Sequence, residues 1–227
     1  MLNVPFRSML AVLGLALLAA APTIASAQAD QQALVNEAEA TFQNFARDPE
    51  MTWIQKNLSK ARGVLIAPSI AKAGFILGGS GGRAVFVARD ANGKWAGPAF
   101  YTLATASIGF QAGVSVSENV TLVMTEKGLN SLLSSSFKMG GDASVAAGPV
   151  GAGASSNVVA DLVSFSRAKG VYGGLNLDGT VVKVSDDWNK AYYGHAVLPP
   201  DVLIRASVKN PQASKLLASV GGAAAGK

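Results

Sequence analysis

Apolar positions recur at helical spacing at both ends of the chain and in strand-like runs between them. Residues 28–47 carry Leu34, Ala38, Phe42 and Phe45 on one helical face, and Asp48-Pro49 ends that pattern. In residues 51–61 the stripe is Met51, Ile54, Leu58 and Ala61. At 100° per residue Trp53, Lys56 and Lys60 then share the opposite face, with Arg62 just beyond. After Arg62 the composition turns β-like. Short apolar runs at 63–66, 75–77, 84–89, 100–107, 109–117, 120–125, 158–166, 170–177 and 180–184 predict strands. Asn92-Gly93 and Asp178-Gly179 mark hairpin turns. Residues 126–134 interpose one helix, with Leu129, Leu132 and Leu133 facing inward. Residues 186–193, 199–208 and 211–220 predict further helices, the first capped by Ser185. This order predicts an α+β fold: a curved, largely antiparallel sheet or partial barrel with flanking N- and C-terminal helices.

The first residues follow a different logic. Arg7 precedes a charge-free, almost wholly apolar run at 9–21. Pro22 breaks the run, and Ala25-Ser26-Ala27 offers the small residues that signal peptidase needs. The run is too short for a permanent membrane span. The expectation is a secretory signal over residues 1–27, a helical segment over 28–50, one domain over 51–220 and a frayed tail over 221–227. The chain contains no cysteine, so neither a disulfide scaffold nor a lipidated cysteine anchor is available. Export without cysteine fits a bacterial periplasm or cell envelope. Hydrophobic residues make up 49% of the chain and charged residues 15%, which excludes disorder. A formal net charge of +5 favours acidic partners. Export points to anionic lipid and away from nucleic acid.

Candidate chemistry is sparse. His195 is the single histidine, and no serine lies in a nucleophile elbow. No metal-ligand spacing occurs. Asp142, Asp161 and Asp178 are scattered, and the adjacent pair Asp186-Asp187 suits a helix N-terminus. Gly78 to Gly82 followed by Arg83 lacks the Gly-Lys-Ser/Thr of a phosphate loop and predicts a tight β turn. No catalytic residue, metal site or cofactor is predicted. Residues 140–156 have a linker's composition but lie between apolar segments with almost no charge. A packed small-residue strand or turn competes with the linker reading, and close packing is expected around Gly148 to Gly151.

Several ordered stretches resemble the SYLF domain family. Leu58-Ser59-Lys60-Ala61-Arg62-Gly63 resembles its Lys-Ala-Lys-Gly opening element, with Arg62 for the second lysine. Gly109-Phe110-Gln111-Ala112-Gly113 matches its G-x-Q-x-G signature. Gly141 to Gly151 matches its distinctive small-residue segment. Ser164-Phe165-Ser166-Arg167-Ala168-Lys169-Gly170 resembles its Y-S-x-S-K-G element, with Phe165 for tyrosine, and Tyr192-Tyr193-Gly194 its closing F-Y-G. The resemblance implies a non-enzymatic lipid-binding domain. Eukaryotic members bind phosphoinositides and some bind actin filaments. In an exported protein it implies affinity for anionic lipid, placed near the basic opening element. The first helix departs from the family's basic pattern, because Asp30, Glu37 and Glu39 face Arg47 alone.

The lipid-binding candidates are therefore Trp53, Lys56, Lys60 and Arg62. The three cations contribute about 1 kcal/mol each near an anionic surface, roughly a hundredfold preference in all. The competing reading of these residues is a solvated basic face with Trp53 packed on a neighbouring element. The competing function is a structural or protein-interaction domain of the envelope, with an envelope protein as partner.

Overall fold

The computed structural model describes residues 22–74, 77–108, 113–151, 157–168, 171–172 and 177–226. The apolar leader, most of the G-x-Q-x-G match and Gly173-Gly174 lie outside the described residues. Helix α1 (Pro22–Arg47) comes first and begins six residues before the predicted start. It leads into a short helix α2 (Thr52–Asn57). Nine strands follow: β1 (Gly63–Gly74), β2 (Leu77–Arg89), β3 (Trp95–Ile108), β4 (Gly113–Val123), β5 (Ser136–Lys138), β6 (Val145–Ala147), β7 (Leu162–Ala168), β8 (Val171–Tyr172) and β9 (Val181–Val184). Helix α3 (Glu126–Leu133) interrupts them, and α4 (Asp186–Tyr193), α5 (Pro199–Leu203) and α6 (Ser214–Ala224) close the chain. The predicted α+β architecture is the observed one. One curled half-barrel sheet has the order β5-β9-β3-β2-β1-β4-β7-β6, with β8 on β7. All its pairings are antiparallel except β6–β7.

Alternation along the central strands explains why they read as continuous apolar runs. Leu65, Phe86, Tyr101 and Val123 face one core, which α3 and α5 cover through Leu129, Leu132, Val202 and Leu203. Their neighbours Val64, Val85, Phe100 and Leu122 face the other core, under Val35, Ala38, Phe42 and Phe45 of α1 and Leu216 and Val220 of α6. A sheet buried on both faces has no polar stripe to mark its period.

Three expectations are corrected. Gly78 to Gly82 form no turn but lie within β2, paired to both β1 and β3. At Gly82 a Cβ would stand 2.4 Å from the Ser69 carbonyl oxygen, beside the bulge in β1, so a strand without side chains is required there. The C-terminal segment is not frayed from residue 221. Helix α6 continues to Ala224, and Ala223 and Ala224 pack on the core. Ser185 does not cap α4 with its side chain; its hydroxyl meets Thr102 Oγ1 at 2.8 Å instead.

Candidate functional site

The small-residue segment and the basic helix form one construction. Strand β6 runs parallel to β7, and the Gly148 amide continues the ladder to the Ser164 carbonyl at 2.8 Å. Gly148 then lies directly on the Phe165 ring, since a Cβ there would stand 2.1 Å from two ring carbons. On that ring rests Trp53, with centroids 5.6 Å apart and planes tilted by 38°. The segment also grips the start of α2. The Gly151 amide donates to the Glu50 carbonyl at 2.9 Å, and the Thr52 hydroxyl donates to the Gly151 carbonyl at 3.2 Å. For residues 145–151 the packed reading thus replaces the linker one, and residues 152–156 lie outside the described residues.

This construction decides the fate of Trp53. It is 5% exposed and belongs to the core beneath α1, so it cannot enter a membrane interface. The helical wheel put Trp53 outward because it could not show that Phe165 covers the side opposite the apolar stripe. A 3₁₀ turn at Pro49–Met51 precedes the six residues of α2, and another at Leu58–Lys60 follows. Two sides of the segment are buried, one by Met51, Ile54, Leu58 and Ala61 and one by Trp53. Lys56 and Lys60 remain exposed and make no ion pair among the described residues. Arg62 is also exposed, but its guanidinium pairs with Glu126 at 3.0 Å, which spends part of its charge.

The fold adds two residues that the sequence did not single out. Arg89 ends β2 and donates to the carbonyls of Ser59, Ala61 and Gly93, at 3.3, 3.3 and 3.0 Å. Its guanidinium also lies 4.7 Å from the centre of the Trp95 ring. Arg89 thus clasps the turn after α2 to the β2–β3 hairpin. Exposed Lys94, on that hairpin, is brought to the same end of the molecule as Lys60. The hairpin signal was legible, but the strand register that seats it beside residues 59–61 was not.

At the opposite end of the strands one sheet face is apolar and, among the described residues, uncovered. The register sets Val116 beside Ala71, Ala71 beside Gly81, and Gly81 beside Ala104. Val114, Ala73, Gly79 and Ala106 form the next row. Val114 is 76% exposed and Val116 49%.

The acids have structural partners. Asp142 accepts the Lys138 amide at 2.7 Å, and Asp178 lies against Gly140. Asp161 accepts the Thr125 hydroxyl at 2.5 Å and the Ser144 amide and hydroxyl at 2.9 and 2.8 Å. The Thr125 bond lowers the Asp161 carboxyl below the usual carboxylate range most strongly. Partial burial opposes that shift, and the Ser144 bonds and the Lys127 ammonium add to it. His195 is exposed, just past the left-handed Gly194 that ends α4. No group of three His, Asp or Glu side chains among the described residues could hold a metal ion. No helix of the described residues is long and apolar enough to cross a membrane.

Comparison with known proteins gives the family. The model of the Ysc84 family, described as Las17-binding protein actin regulator, matches residues 104–223, more than half of the chain. LAS seventeen-binding protein 3 of Saccharomyces cerevisiae is 32% identical over 144 residues, which is 60% of this chain and 31% of that protein. Protein YSC84 of the same yeast is 31% identical over the same shares. The human SH3 domain-containing YSC84-like protein 1 is 28% identical over 164 residues, 70% of this chain and 48% of that protein. The chain thus spans less than half of the length of each of these relatives, 31% to 48%. One is named for a binding partner and one for its domain content, and none is named for a reaction.

Proposed function

Since the chain belongs to the Ysc84 family, the SYLF-type domain family its motifs resemble, we propose that it is a non-enzymatic interaction domain, exported to the periplasm or cell envelope, that binds anionic lipid surfaces peripherally. The observation that carries this reading is the pair Lys56 and Lys60, exposed and unpaired on a segment that is itself clamped by Trp53, Thr52 and Arg89. Rigid presentation lowers the entropy that a cationic site loses on binding. With Trp53 buried, the contact is electrostatic, made by Lys56 and Lys60 with Lys94 beside them and Arg62 as a paired contributor. Such a contact requires anionic lipid and weakens as salt shortens the Debye length from about 10 Å at 0.1 M to about 3 Å at 1 M. Co-sedimentation with anionic vesicles tests the assignment. The Lys56→Glu/Lys60→Glu variant should bind at least tenfold more weakly than the parent, and equal binding at low salt would remove this site.

A second reading rests on a separate observation. The uncovered rows around Val114 and Val116 suit a protein partner, and one yeast relative is named for binding one. In that reading the domain assembles with an envelope protein. Substituting Val114→Lys would then abolish a protein complex while leaving vesicle binding intact.

A further inference from the structure

Between α1, α2 and α6 lies a cleft of about 360 Å³, within the range of small-ligand sites, roughly 300–1,000 Å³. Phe42, Ile54 and Leu58, all fully buried, form its floor. The α6 wall is built of small residues, Ala218, Gly222 and Ala223, which is why three packed helices leave a gap of this size. Nothing approaches within 4 Å of a Cβ placed on Gly222. The neutral polar groups on the lining are already engaged. Gln43 donates to Ser219 at 3.0 Å and to Glu39, Ser219 donates to Glu39 at 2.8 Å, and Lys215 pairs with Glu39 at 3.1 Å. Gln55 donates to the carbonyls of Ala46 and Asp48, both at 3.1 Å, which quiets the negative end of α1. An apolar floor whose polar neighbours are satisfied holds water poorly and hydrocarbon well. At the mouth stands Arg47, exposed and without an ion pair among the described residues.

We propose that this cleft binds the hydrocarbon tail of a single-chain acidic amphiphile, with its carboxylate or phosphate against Arg47. A free fatty acid and a lysophospholipid share that chemistry. The site is separate from the surface contact at Lys56 and Lys60, because it takes a monomeric ligand into the helical layer and needs no bilayer.

Calorimetric titration of the full chain with monomeric dodecanoate tests the proposal, with lauroyl lysophosphatidylglycerol and neutral monolaurin as parallel probes. Dodecanoate should bind at one site per chain, and monolaurin at least tenfold more weakly. Binding of lysophosphatidylglycerol as well would identify the phosphate source, and dodecanoate alone the fatty acid. Arg47→Glu should remove the preference for the acidic probes. Gly222→Leu should fill the cleft and abolish binding while keeping the melting temperature at or above that of the parent, since leucine replaces glycine within a helix. If that variant fails to fold, Ala218→Leu serves the same purpose. The proposal is overturned if none of the probes binds, if monolaurin binds as tightly as dodecanoate, or if the filled variant binds as the parent does. Vesicle binding by the filled variant, measured alongside, separates failure of this cleft from failure of the surface site.

Discussion

Gly148→Ala should destabilise the protein far more than adding one methyl group to an unbonded loop would. The new Cβ would stand 2.1 Å from two carbons of the Phe165 ring and 2.6 Å from a third. Ordinary carbon–carbon contact is about 3.5–4.0 Å, so the ring must retreat by more than ~1 Å. The ring is 1% exposed and already packed against Trp53, so it has little free space to enter. Overpacking of this kind costs about 1–3 kcal/mol. For a chain of this length each kcal/mol lowers the melting temperature by about 2–4 °C, which gives a fall of roughly 2–12 °C. Replacing Phe165 by leucine opens room, so the cost of Gly148→Ala should shrink in that background, with a coupling of about 0.5–3 kcal/mol. Gly151 is the internal control. A Cβ there meets only Glu50 Oε2, at 3.8 Å, but the residue adopts φ +122°. Its substitution to alanine should cost about 1–3 kcal/mol from the backbone alone, with no dependence on Phe165. Differential scanning calorimetry of the four Gly148/Phe165 combinations measures the coupling. A Gly148→Ala melting temperature within a degree of the parent, or additive effects of the two substitutions, would refute the stacked arrangement.

Other consequences follow from named contacts. Trp53→Ala should cost about 3–5 kcal/mol as a large-to-small change in a core, read by urea denaturation, and a surface tryptophan would show almost none of this. Asp161, with its folded pKa below the ordinary value of 3.8, stabilises the fold at pH above that value and loses this contribution as pH falls through the folded pKa. Asp161→Asn should therefore melt lower than the parent at neutral pH, and the gap should close as the pH falls below the ordinary carboxylate value of 3.8; a constant gap would contradict the assignment. Intact mass of protein isolated from its native source should correspond to a chain beginning at or near Gln28, and a chain retaining Met1 would contradict export by a cleaved signal.

The fold was legible where local chemistry decides it. The hairpin turn at Asn92-Gly93, the helix at Glu126 and the apolar face of α1 all follow from side-chain spacing, and each lies where that spacing predicts; Asp178-Gly179 is a turn but closes no hairpin among the described residues, since β8 pairs with β7 and β9 with β3 and β5. What failed was information that only tertiary structure holds. The wheel over residues 51–61 placed Trp53 opposite the apolar stripe and so outward; the stripe is buried as expected, but Phe165 covers the Trp53 side as well. The glycine run at 78–82 looks like a turn by composition, yet pairing on both sides holds it extended. Strand β5 was missed because Ser136-Phe137-Lys138 is too short to show a period. Close packing around Gly148 to Gly151 was expected, but the two glycines serve different needs, a near contact at one and a positive φ at the other. Of the candidate site, Lys56 and Lys60 were readable from their spacing. The role of Arg89, the pairing of Arg62 with Glu126 and the placement of Lys94 depend on strand register and were not.

Binding of the full chain to vesicles bears most directly on the central claim. Co-sedimentation should be compared between wholly zwitterionic phosphatidylcholine vesicles and otherwise identical vesicles containing phosphatidylglycerol, each at low and at high salt. The account predicts binding to the phosphatidylglycerol vesicles alone, lost at about 1 M salt where the screening length is about 3 Å. Equal binding to both vesicle types, or none to either at low salt, would contradict it.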